Sequence, residues 1–98
     1  MLSDAFPLFA TGPVTGTTSS DRSQAEVFTA WNPAWKVEEA RDDEGATYLS
    51  VVPPGQQCAW WICRTTEYWV TALSPCGAKV IRFTDVAAAL AGVWEHAT

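Results

Sequence analysis

Reactive chemistry in this chain has few carriers: three cysteines, Cys58, Cys63 and Cys76, and a single histidine, His96. A thiol nucleophile needs a base, and His96 is the one imidazole in the sequence. Cys76 lies in Ser74-Pro75-Cys76-Gly77, a turn sequence, and is expected to be the most exposed thiol. Cys58 and Cys63 are expected on one strand, five residues apart, facing opposite sides and unable to pair. A turn cysteine and a distant histidine make a weak case for catalysis, and an imidazolium is in any case favoured near a helix C-terminus. There is no Cys-x-x-Cys, and one histidine falls short of any standard zinc spacing, so no metal and no cofactor are expected. The phosphate-cradling glycine loops, His-Glu-x-x-His and Gly-x-Ser-x-Gly are also missing. The chain reads as a non-enzyme.

Charge placement is more informative. Glu38, Glu39, Asp42, Asp43 and Glu44 fall within seven residues, offset only by Arg41. That window carries −4 (one base minus five acids), and the other 91 of the 98 residues carry −1 (five bases minus six acids). The acidity is therefore expected at the tip of one hairpin. A solvated solubility patch is the plain explanation of such a run. The sharper one is a steering patch for a protein with a basic surface, because complementary potentials raise association rates. Asp42-Asp43-Glu44-Gly45 lacks the alternating ligands of a calcium loop. The net charge of −5 argues against direct binding to nucleic acid, which rests on Lys and Arg displacing counterions.

Aromatic residues supply the contact chemistry. Neighbours along a strand point to opposite faces, so Trp60 and Trp61 must lie on different sides of a sheet, as must Tyr68 and Trp69. If helices cover one face, the other also carries large rings. Those rings need cover from the N-terminal residues Leu2–Phe9, from a second copy, or from a partner or ligand. Tyr48, Trp61 and Trp69 are the candidates for desolvated contact, since Tyr and Trp bury much area at little entropic cost.

The elements that would position these residues follow from periodicity. Residues 1–20 read as an N-terminal arm or linker, Gly/Thr/Ser-rich from residue 10, ahead of a single domain over 21–98. A helix is expected over Asp21–Trp31, capped from Ser20, Asp21 or a Ser23/Glu26 box, with Val27, Phe28 and Trp31 on its apolar stripe. Asn32-Pro33 ends it. Short strands follow at Trp35–Glu38, Tyr48–Val52, Cys58–Arg64, Tyr68–Leu73 and Lys79–Phe83, the third apolar enough to be central. Their short connections make them antiparallel neighbours. Thr84 is the expected cap of a last helix whose stripe is Val86, Ala89, Leu90, Val93, Trp94 and Ala97, with Gly92 off it. The fold class is α+β: an antiparallel meander of about five short strands, flanked by an N-terminal and a C-terminal helix.

The start of the chain has no positive n-region and is broken by Asp4 and Pro7, and no apolar run approaches membrane-spanning length, so a cytoplasmic protein without membrane association is expected. The functional expectation is a small acidic binding protein acting by protein–protein contact. In size and charge it suits an inhibitor of nucleic-acid-handling machinery, of the immunity or phage anti-defence type. Two other readings stand beside it: a homodimeric structural or adaptor domain, and a small-ligand module that stacks rings on Trp.

Overall fold

Alternation and turn chemistry build the sheet. The computed structural model describes residues 16–65 and 68–97; positions 1–15 of the expected arm lie outside them. Strands β1 (Lys36–Arg41), β2 (Thr47–Val52), β3 (Trp60–Arg64), β4 (Val70–Leu73) and β5 (Val80–Phe83) form one antiparallel meander in chain order. The β1–β2 hairpin pairs Lys36 with Val52 through to Arg41 with Thr47. Its turn is closed by the Asp42 side chain, whose Oδ1 accepts from Glu44 N and Ala46 N, each at 2.9 Å. Gly45 supplies the left-handed conformation there, with φ +86°. Strand β3 is central as expected, with Ile62 and Cys63 fully buried on opposite faces.

Two strands start later than their apolar runs do. Cys58 and Ala59 precede β3, because β4 has no extended partner for them: Leu73 leads into a turn through Pro75, which lacks an N–H to donate. Tyr68 and Trp69 precede β4, where the connection from β3 closes with Thr65 N donating to the Trp69 carbonyl at 3.1 Å, in register with the ladder. The expected placement of Cys58 on the same strand as Cys63 is therefore corrected.

Helix α1 (Ser19–Trp31) begins two residues before its expected start, and Thr18 caps it. Thr18 Oγ1 accepts from Asp21 N, and Asp21 Oδ2 accepts from Thr18 N, both at 3.0 Å. This is the reciprocal capping box anticipated at Ser23 and Glu26, formed upstream. At the other end Asn32 N and Nδ2 both donate to Phe28 O at 2.9 Å, ahead of Pro33.

Helix α2 (Val86–Ala97) is capped by Asp85, not by the expected Thr84: Asp85 Oδ1 accepts from Ala88 N at 2.8 Å. Gln24 Oε1 on α1 accepts from Ala87 N at 3.0 Å, tying the two helices together. Both helices lie on one sheet face. Val86, Ala89, Leu90 and Val93 bury against Leu49, Val51, Trp60, Ile62, Val70 and Ala72. Gly92, expected off the stripe, is buried: a Cβ there would stand 2.2 Å from Phe83 Cζ, so the β5 ring occupies the space a side chain would need. Trp94, expected within the stripe, keeps an exposed edge and leans on Trp35, centroids 5.8 Å apart.

Candidate functional site

The five clustered acids do not share one corner. Glu38 and Glu39 sit inside β1, and strand alternation turns them to opposite faces. Glu39 faces the helices, where its Oε2 lies 3.3 Å from Arg22 Nη1 and also accepts the Thr17 hydroxyl. The Thr17 bond first, then Arg22, holds this carboxyl below the ordinary carboxylate range. Asp42 is occupied in closing the turn, and Arg41 Nη1 donates to Gly45 O at 3.2 Å. Asp43 and Glu44 are exposed at the hairpin tip, and Glu38 is exposed within β1. The free negative potential is thus smaller than the sequence window implies.

The aromatic candidates also differ among themselves. Tyr48 is 8% exposed and packs its ring against Trp61, centroids 5.4 Å apart. Together with Cys63 and Ala40 they form a second, smaller cluster on the face away from the helices. Thr71 and Leu73 of the same face are buried within the single chain as well. Burial, then Asp42, raises the Tyr48 hydroxyl above its ordinary range, and the same two causes push the Cys63 thiol up to about 12. Trp69 is 39% exposed, with the Arg82 guanidinium 5.4 Å above its ring. Of the three expected contact rings, Trp61 and Trp69 keep usable surface and Tyr48 has little.

Two apolar residues expected on the inward stripe of α1 lie on its outer side. The sheet-facing side of the helix carries Asp21, Ala25 and Phe28, while Val27 and Trp31 turn outward, 61% and 81% exposed. With Phe28, Gln24 and Ala87 they line a shallow groove of about 430 Å³ between the helices. Asp21, 1% exposed, explains the rotation. Arg64 on β3 donates to it twice, Nε to Oδ2 at 2.7 Å and Nη2 to Oδ1 at 2.6 Å. Burial alone would raise the Asp21 carboxyl; the Arg64 bonds and the Thr18 N–H outweigh that and hold it low. The signal available in sequence was the spacing of Asp21, Ala25, Phe28 and Asn32, which no hydrophobicity scale marks as an inward face.

A third feature lies at the end of the sheet where the β2–β3 connection meets the β4–β5 turn. A cavity of about 850 Å³ opens there, walled by Trp61, Leu73, Pro75, Val80, Cys58 and Cys76. All three cysteines are free thiols, with Cys58 and Cys76 both exposed. Among the described residues no group of three or more His, Cys, Asp or Glu side chains is arranged to hold a metal ion. No helix among them is long and apolar enough to cross a membrane. No family model matches the chain, and comparison with curated proteins and with solved structures gives no match.

Proposed function

We propose that this is a small acidic binding protein acting by protein–protein contact, and that the outer face of α1 is its principal contact surface. The observation that carries the reading is Trp31, 81% exposed beside Val27 on a helix capped at both ends. A large ring held on a rigid element loses little entropy when a partner covers it, the property that makes Trp a hot-spot residue. The overall charge of −5 favours a partner with a basic surface, as nucleic-acid-handling proteins have, and Asp43 and Glu44 at the hairpin tip add steering. Inhibition by occupying such a surface fits a domain of this size.

The test uses the full chain as bait in extract from its native host, beside a Val27→Ser/Trp31→Ala variant that circular dichroism shows to be folded. One protein should be retained by the wild type, identified by mass spectrometry, and lost from the variant. Equal retention by both would remove α1 from the interface. For the purified pair, reversing Asp43 and Glu44 to Lys, with the turn-closing Asp42 kept, should slow association and flatten its salt dependence.

The small-ligand reading has an observation of its own, the Trp61-walled cavity, whose volume falls in the range of ligand sites. Saturable quenching by a ring compound, abolished in Trp61→Leu, would favour it. A homodimer through the second sheet face finds less support, since the centre of that face is already buried in one chain. A concentration-dependent mass in light scattering would revive it.

A further inference from the structure

The ladder between β3 and β4 runs from Arg64↔Val70 to Trp61↔Leu73 and stops. Cys58 lies three residues before Trp61, and Cys76 three residues after Leu73. Extended by three residues, that register would oppose the two cysteines (58 + 76 equals 61 + 73), but the chain turns after Leu73 and the pairing is not made. Opposed residues on a continuing ladder have Cα atoms roughly 4.5–5.5 Å apart, inside the span a disulfide bridges. Beyond Trp61↔Leu73 both cysteines line the same cavity, from the β2–β3 connection and the β4–β5 turn respectively. Each belongs to a connection and not to a strand: Cys58 follows the Pro53-Pro54-Gly55 turn, and Cys76 sits in the turn closed by Gly77 N donating to Ser74 O at 2.9 Å. Drawing them together therefore breaks no ladder bond.

The two thiols are also unequally prepared. Cys76 Sγ lies 3.7 Å from the Ser74 hydroxyl, whose oxygen accepts from Lys79 N at 3.0 Å. When Cys76 is ionised, the Ser74 hydroxyl is the donor across this contact. The backbone N–H of Ala78, then Ser74, lowers the Cys76 thiol below its ordinary range. Cys63, buried and raised to about 12, takes no part and serves as an internal control.

We propose that Cys58 and Cys76 are a disulfide-forming pair, oxidised by low-molecular-weight disulfides of the glutathione type, whose closure draws the two connections across the mouth of the cavity. The Cys76 thiolate attacks one sulfur of the small disulfide, forming a mixed disulfide and releasing one small thiolate. Cys58 then loses its proton to solvent and attacks the Cys76 sulfur, expelling the second small thiolate. The protein has lost two hydrogens, and one small disulfide has become two thiols. The proposal is independent of the contact surface on α1.

The full chain is incubated with oxidised glutathione, quenched in acid, alkylated and weighed intact. The expected product is a monomer lighter by two hydrogens, with one thiol that labels only after denaturation and a cross-linked peptide joining Cys58 to Cys76. The Cys58→Ser variant should stop at a stable glutathione adduct on Cys76. Cys76→Ser should lose its first exposed thiol more slowly than Cys58→Ser does. A wild-type protein that accumulates separate glutathione adducts on the two cysteines, or bridges between chains, would overturn the proposal.

Discussion

The two helices share one face of the sheet yet attach to it by different means. Helix α2 turns Val86, Ala89, Leu90 and Val93 inward, and dispersion and apolar burial hold it. Helix α1 turns a carboxylate inward. Asp21 is at once a capping residue and the partner of Arg64, so a single side chain fixes the helix start and its rotation. Two of its three large apolar residues, Val27 and Trp31, are thereby left for a surface other than the core, while Phe28 packs inward. With an ion pair supplementing Ala25 and Phe28, α1 can leave Val27 and Trp31 outward; α2 relies on its apolar stripe throughout.

The most damaging way to test this contrast is Arg64→Ala, which leaves Asp21 buried without its guanidinium. Losing one partner of a buried pair costs about 3–5 kcal/mol, read from urea denaturation. The same pair predicts an acid limb. Because the folded-state carboxyl is held below its unfolded value, its contribution is present above pH about 4 and disappears as pH falls through the lowered value. Stability of the wild type should drop across that window, and Asp21→Asn should flatten the drop.

On the other helix, Leu90→Ala should cost about 2–5 kcal/mol with no comparable acid dependence. Gly92→Ala should cost about 1–3 kcal/mol by overpacking against Phe83, and pairing it with Phe83→Leu should recover part of that loss. Trp31→Ala should sit at the bottom of the series, within about 0.5 kcal/mol of wild type. A large loss there would mean that α1 depends on its outer residues after all.

The apolar periodicity of α2 and the alternation of the strands were legible because burial there follows hydrophobicity. That holds from Val86 to Val93 and for the opposed Trp60 and Trp61. Strand starts shifted by two residues where pairing, not composition, sets the limit, as at Cys58 and Tyr68. The orientation of α1 is not legible in sequence because its inward face includes Asp21, whose partner Arg64 is 43 residues away, a distance no local pattern spans. The acidic site was overdrawn for a related reason. A window of like charges ignores that Glu38 and Glu39 diverge and that Arg22, from another element, answers one of them.

The outermost described strands of the meander face different hazards. A strand with open N–H and C=O groups invites another chain to add itself and seed a fibril. On β1, Lys36, Glu38, Glu39 and Arg41 put a charge at four of six positions, so an incoming strand would have to strip water from them. On β5 only Arg82 stands guard, beside an exposed Val80, and the protection there is brevity. Self-association on storage should therefore begin at β5, and Val80→Lys is the change to make for a sample that must stay clear.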